Sequence, residues 1–245
     1  MRVALISDLH GNIVALRAVL EQIERAGVDQ IVCLGDVATL GPAPAQVLET
    51  LARLGCACIV GNHDAFLLDP DLIHRYTESP LIVAAVDACR ADLSAAHLDF
   101  VRTFAPTLDI DMDGSTLGLF HGSPRSHMED LLATTPPGAL DEALGAGRAT
   151  VMAGGHTHVQ MLRQHRGTLL LNPGSLGLPF ETYVSGGPPT ILAHAEYATV
   201  ESARGAVSVT LHRVPLDREA LIAAVAPWDN PLRDDLLRQY RRPDA

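Results

Sequence analysis

No stretch of this 245-residue chain approaches the roughly 18 consecutive apolar residues of a bilayer-spanning helix, so no membrane span is expected. The opening MRVALISD has one arginine and a very short apolar run before Asp8, which does not fit a secretory signal, and the expectation is a soluble, cytoplasmic protein. Charge is scarce, at 19% of residues against the usual figure of about 25%, and it leans negative, with 18 basic and 29 acidic side chains and a formal net charge of −11. Such a chain repels nucleic-acid phosphates and anionic lipid at long range, which argues against a broad nucleic-acid-binding surface. Bound cations would still reverse the sign inside a cleft. Cysteine is scarce too: Cys33, Cys56, Cys58 and Cys89 make no disulfide framework and read as small buried hydrophobes, three on strands and one on a helix. There is no repeat of fixed period and no low-complexity segment.

What the chain does have is apolar substance, 47% of it, enough to bury a sizeable core in an α/β fold. Residues 2–7 read as a buried strand. Residues 13–26 carry apolar positions at helical spacing between Asn12, a plausible N-cap, and Gly27, a plausible stop. A strand at 30–34, a helix at 43–54 and a strand at 57–60 follow, and this β-α-β-α-β order favours parallel strands with right-handed crossovers. Residues 80–104 read as one long helix with an apolar stripe from Ile82 to Phe104. Strands are expected at 107–111, 116–120, 149–153, 160–164, 168–171, 190–196 and 206–213, and helices at 139–146, 217–225 and 231–240. The last helix puts Leu232, Leu236, Leu237 and Tyr240 on one face, to dock on its own domain or on a second copy in a homodimer. Residues 65–79 form either a cover over a cleft, with Tyr76 or Arg75 reaching in, or a plain connection.

The apolar strands stop in an unusual way. The first ends in Asp8-Leu9-His10, the second in Gly35-Asp36 and the third in Gly61-Asn62-His63-Asp64. Later strands end in His121-Gly122 and in Gly154-Gly155-His156-Thr157-His158. One such ending is an ordinary turn, because Asp and Asn build turns readily. Five in succession, each delivered to the carboxyl end of a strand where open α/β sheets bind ligands, point to one cleft lined by imidazoles, carboxylates and an amide. That donor mix suits Mn²⁺, Fe or Zn²⁺ rather than an all-oxygen Ca²⁺ or Mg²⁺ cage. Seven donors exceed what one tetrahedral ion takes and suffice for two ions if a carboxylate bridges. The remaining histidines, His74, His97, His127, His165, His194 and His212, read as surface or satisfied core residues, with His127 in doubt because it follows the His121-Gly122 turn.

The order D-x-H, G-D, G-N-H-D, H-G, G-H-T-H, followed by LNPGS at 171–175, resembles the calcineurin-like metallophosphoesterase superfamily, and most of all its small prokaryotic phosphodiesterase branch. The resemblance implies a four-layer αββα sandwich, with two mixed β-sheets face to face and helices outside. It implies a single metallophosphoesterase domain over 1–245, with the motif core in 1–176 and residues 177–245 completing the fold. Asp8, His10 and His158 would hold one divalent ion, Asn62, His121 and His156 the other, and Asp36 would bridge them. His63 would lie over the substrate phosphate, its ring and tautomer fixed by Asp64. The implied reaction is hydrolysis of a small phosphate ester, most simply a phosphodiester, by attack of a metal-bound hydroxide, with His63 giving a proton to the leaving group.

The chain departs from relatives in two places. Asp36 is followed by VATLGPAP, without the Asp-Arg-Gly of protein phosphatases and diadenosine-tetraphosphate hydrolases. After NPGS, where small phosphodiesterases often have an arginine, stands Phe180. Arg125, just after HGSP, is the candidate substitute for gripping phosphate. Two competing readings are a catalytically silent scaffold of the same fold that binds proteins, and a metal enzyme acting on a non-phosphate ester. Nucleotides, cyclic nucleotides, phospholipid head groups and nucleic-acid ends all fit the residues equally.

Overall fold

A computed structural model describes residues 1–147, 149–184 and 186–242. Among these residues ten strands form two mixed five-stranded sheets. The first has the order β10-β9-β1-β2-β3. Here β1 (Arg2–Ile6), β2 (Gln30–Cys33) and β3 (Ala57–Cys58) run parallel, and the hairpin β9 (His194–Ala203) and β10 (Ala206–Pro215) is added antiparallel beside β1. The second has the order β4-β5-β6-β8-β7. Its parallel centre is β5 (Thr116–Leu119), β6 (Val151–Ala153) and β8 (Thr168–Asn172), flanked antiparallel by β4 (Leu108–Asp111) and β7 (Met161–His165).

The alternation of side chains along β1 explains the layering. Val3 and Leu5 enter a core shared with Leu117, Leu119, Val151 and Leu171 of the other sheet, while Ala4 and Ile6 enter a core shared with helices. On that outer face lie α1 (Ile13–Ala26) and α2 (Pro44–Leu54). Asn12 caps α1 by accepting from Ala15 N, and Gly27 closes it at φ 64°. α6 (Pro137–Leu144) covers the second sheet through Leu140, Ala143 and Leu144. Helices, two sheets and helices thus stack in the expected four layers.

Three expectations change. The long helix at 80–104 is two helices, α4 (Pro80–Ala91) and α5 (Ala95–Val101), because Ser94 caps a new start by accepting from His97 N. The two halves serve different cores: Ala85 and Cys89 pack against Trp228 and Leu236, whereas Leu98 and Val101 pack on the α2 side. The third strand pairs with β2 only over Ala57–Cys58, after which Ile59 bridges to Ala105. The hairpin near the end is longer than its apolar runs, since Glu196, Thr199 and Ser202 of β9 are buried polar residues. α3 (Asn62–Leu68) follows β3, and α7 (Arg218–Val225) and α8 (Arg233–Tyr240) close the chain. Leu236 and Tyr240 of α8 are buried against Cys89, Val225 and Trp228, so its apolar face docks on its own chain. Cys33, Cys58 and Cys89 are buried, Cys56 is half-buried, and all four are free thiols. No helix among the described residues is long and apolar enough to cross a membrane.

Candidate metal centre

The carboxyl ends of β1, β2, β3, β5 and β6 meet at one end of the sandwich. Their tips bring Asp8, His10, Asp36, Asn62, His121, His156 and His158 together, each at most 7% exposed. Asp8, His10 and His158 form one group of donors and Asp36, His121 and His156 a second, with donor atoms within 4.8 Å of one another in each. Asn62 joins the second, its Oδ1 3.1 Å from His121 Nε2. Both groups draw on both sheets: Asp8, His10, Asp36 and Asn62 follow strands of the first, and His121, His156 and His158 follow strands of the second.

The local backbone shows how tightly the tips are built. Asp8, His10, Asp36, His156 and His158 all have φ between 45° and 71°, the left-handed region that costs an ordinary residue about 1–2 kcal/mol. Asp and His tolerate it better than most, which fits their repeated use here. Two of the motif glycines are required by contact. A Cβ on Gly61 would overlap Asp36 Oδ1, and one on Gly155 would overlap Ser7 Oγ and crowd Asp8 Oδ2.

The hydrogen bonds fix which imidazole nitrogens face inward. His121 Nδ1 donates to Leu34 O and His158 Nδ1 to Leu178 O, each at 2.7 Å. In the neutral rings this leaves Nε2 with its lone pair, as backbone carbonyls behind metal-ligating histidines do. His158 Nε2 lies 3.0 Å from His10 Nε2 and 3.4 Å from Asp8 Oδ1, while His121 Nε2 lies 3.3 Å from Asp36 Oδ2. Asp8 Oδ1 is buried without a hydrogen-bond donor. Converging lone pairs and an orphaned carboxylate oxygen are what a cation resolves, so these residues fit divalent ions. The electrostatics agree. Burial disfavours both charges, yet His158 and His121 hold Asp8 at about 2, and Asp36 and Asp8 raise His121 to about 10.

His63 lies beside this centre rather than in either group. Its ring meets His10 edge-on at 5.1 Å, and burial pushes its pKa down. Asp64 does not hold that ring as expected; Thr39 Oγ1 does, 2.8 Å from His63 Nδ1. The Asp64 carboxylate instead accepts from the backbone N–H groups of Asp36, Val37 and Gly61 at 2.7, 3.0 and 2.9 Å. The third residue of α3 naturally reaches back to the open N–H groups of its own N-terminus, and the tip of β2 lies in the same place. Arg125 is exposed and donates to Glu129 from both Nε and a terminal nitrogen, so its charge is already committed. His127 is half-buried and belongs to neither donor group. His165 and His194 pair with Asp141 and Glu196, and His212 with Thr199.

The rim holds Tyr76 and Phe180, which the sequence singled out, and Asp130 and Tyr183, which it did not. Tyr76, 45% exposed, follows a 3-10 segment (Pro70–Arg75) and lies 5.9 Å from the His63 ring and 6.1 Å from that of His156. Phe180 stacks on His158 at 4.2 Å. Asp130 Oδ1 stands 3.3 Å from His156 Nε2, and its other oxygen accepts from the Tyr183 hydroxyl.

Comparison with known proteins agrees with this geometry. The profile of the calcineurin-like phosphoesterase superfamily domain matches residues 1–195. Phosphodiesterase YfcE of Escherichia coli is 26% identical over 236 residues, 92% of this chain and 98% of its own. A Methanocaldococcus jannaschii protein is 28% identical over 176 residues, 72% of this chain and 70% of its own. The crystal structure of a metallophosphoesterase from Sphaerobacter thermophilus superposes with a TM-score of 0.74 at 26% identity, covering 98% of both chains. With the motifs converging on one cleft of a two-sheet sandwich and the superfamily profile spanning most of the sequence, this chain belongs to the calcineurin-like phosphoesterase superfamily.

Proposed function

We propose that this protein is a two-metal phosphodiesterase. Asp8, His10 and His158 would hold one divalent ion and Asn62, His121 and His156 the other, with Asp36 shared. The observation that supports this most directly is the inward convergence of Nε2 atoms whose rings are locked by Nδ1 bonds to backbone carbonyls. When bound, two such ions supply positive charge for phosphoryl oxygens and lower the pKa of a water for attack on phosphorus. Nitrogen and oxygen donors of this kind suit Mn²⁺, Fe or Zn²⁺.

The chain's own residues supply the rest. Thr39 occupies His63 Nδ1, which leaves Nε2 as the nitrogen that gives a proton to the departing oxygen. Asp64 ties the backbone of Asp36 to that of Gly61 and so sets the shared carboxylate relative to His63. Tyr76 and Phe180 narrow the mouth and exclude water from the reacting groups. The YfcE name favours a diester over other esters.

The test is hydrolysis of bis(p-nitrophenyl) phosphate against p-nitrophenyl phosphate and a carboxylic ester, after stripping metal and refilling with Mn²⁺, alongside His63→Ala. Diester activity that returns with metal, and that falls at least a hundredfold in His63→Ala with metal content unchanged, supports the reading. An inert protein with both sites filled would count for the scaffold instead.

A further inference from the structure

The cleft has an unusual charge balance for a site that takes phosphate. Neither position where relatives place a phosphate-gripping arginine has one: Asp36 runs into VATLG, and Phe180 stacks on His158. Every basic residue of the chain is an arginine, and the one nearest in sequence to the His121 turn, Arg125, is paired with Glu129. Against this stands a carboxylate. Asp130 Oδ1 lies 3.3 Å from Nε2 of His156, a member of the second donor group. It is aimed there by the Tyr183 hydroxyl, which donates to the other oxygen. At 41% side-chain exposure, Asp130 stands at the mouth rather than in the floor with Asp8 and Asp36.

We propose that Asp130, positioned by Tyr183, is a specificity-determining residue that admits singly charged phosphodiesters and disfavours doubly charged monoesters. This rests on the two-metal phosphodiesterase reading above. Asp130 touches His156 of the second donor group, so its carboxylate stands beside the space that a phosphoryl group held between the two groups would enter. Like charges that close, on the half-shielded wall of a cleft, repel more strongly than in water. A diester presents one negative charge and two substituents, whereas a monoester at pH 8 presents two negative charges. The fixed anion therefore penalises the monoester more. Selection by an added repulsive element, rather than by a new attractive one, is a general route to specificity.

The experiment compares wild type, Asp130→Asn and Tyr183→Phe, each metal-stripped, refilled with Mn²⁺ and assayed at pH 8 on p-nitrophenyl phosphate and bis(p-nitrophenyl) phosphate. Asparagine keeps the shape and still accepts from Tyr183. Asp130→Asn should raise the monoester-to-diester ratio of kcat/KM about tenfold, chiefly through the monoester KM, with two ions per chain retained. Tyr183→Phe should move the ratio part of the way. Added salt should narrow the discrimination of wild type and leave that of Asp130→Asn unchanged. The same asymmetry is readable without turnover: calorimetry should show Asp130→Asn tightening inorganic phosphate about tenfold more than it tightens dimethyl phosphate. A ratio and a phosphate affinity both within twofold of wild type would overturn the proposal. So would loss of an ion in Asp130→Asn, which would make Asp130 a support or ligand for metal rather than a filter for substrate charge. If wild type turns over neither ester with both ions bound, the phosphodiesterase reading fails, and the calorimetric pair still decides the role of Asp130.

Discussion

Replacing Asp64 separates a structural part from a chemical one. Its fully buried carboxylate takes three backbone N–H bonds, from Asp36, Val37 and Gly61. Asp64→Ala leaves all three donors buried and unpaired, at about 1–3 kcal/mol each. Water reaching the vacated space recovers some of this, so a net loss of about 3–5 kcal/mol is expected. For a domain of this size that corresponds to a fall in Tm of roughly 6–20 °C. Asp64→Asn is milder. The amide oxygen can replace Oδ2, which serves Asp36 and Gly61, but the NH₂ then faces Val37 N, donor against donor, for a loss of about 1–3 kcal/mol. In both variants the tip of β2 loosens, and Asp36 should lose its place between the donor groups, so metal content should fall together with stability. Equilibrium urea denaturation and elemental analysis on the same preparations measure the two. Variants as stable as wild type within about 1 kcal/mol, with metal retained and turnover lost, would refute this account and return Asp64 to the chemistry of His63.

Thr39→Val removes the oxygen at His63 Nδ1 and should lower kcat about tenfold with KM and metal content unchanged, while Thr39→Ser should restore it; steady-state kinetics with the diester measure both. Gly155→Ala drives a methyl group into Ser7 and Asp8, and should cost about 1–3 kcal/mol in urea denaturation together with loss of the ion held by Asp8, His10 and His158, counted by elemental analysis. Burial lowers His121, but Asp36 and Asp8 outweigh it and hold the ring protonated to about 10 in the metal-free protein. Loading the second donor group at pH 7 must therefore expel that proton, so affinity should rise about tenfold per pH unit; calorimetry in buffers of different ionisation enthalpy counts the proton released.

The site was more legible in the sequence than its surroundings. Asp8, His10, Asp36, Asn62, His121, His156 and His158 each end an apolar run beside or near a glycine, and that pattern is local, so it can be read without knowing what faces it. What Asp64 touches was not legible. A carboxylate after a histidine looks like its partner, and only the packing of β2 against the start of α3 shows that the backbone claims it first. Thr39, Asp130 and Tyr183 carried no signal, since a threonine or an aspartate in a loop has meaning only through what a distant strand end brings near. The break between α4 and α5 was hidden by an apolar stripe that runs through it, although Ser94, a good N-cap, marks the place. The β9–β10 hairpin outran its apolar runs because β9 lies between β1 and β10 and buries polar side chains that read as surface.

That each donor group draws on both sheets has a consequence for the whole molecule. Between the sheets lies an apolar core without direction of its own, and at the site end a few hydrogen bonds already cross it, such as His121 Nδ1 to Leu34 O and Ser175 Oγ to Asp8 O. An ion shared by Asp8, His10 and His158, or by Asp36, His121 and His156, would pin one sheet to the other at that end, like a rivet through two plates. Unfolding would have to surrender both ions at once, and each contributes about 2.7 kcal/mol when free metal stands a hundredfold above its dissociation constant. Metal supply would then govern how long the protein survives as well as how fast it works, and a chelated cell would hold less of the protein, not merely a slower form of it.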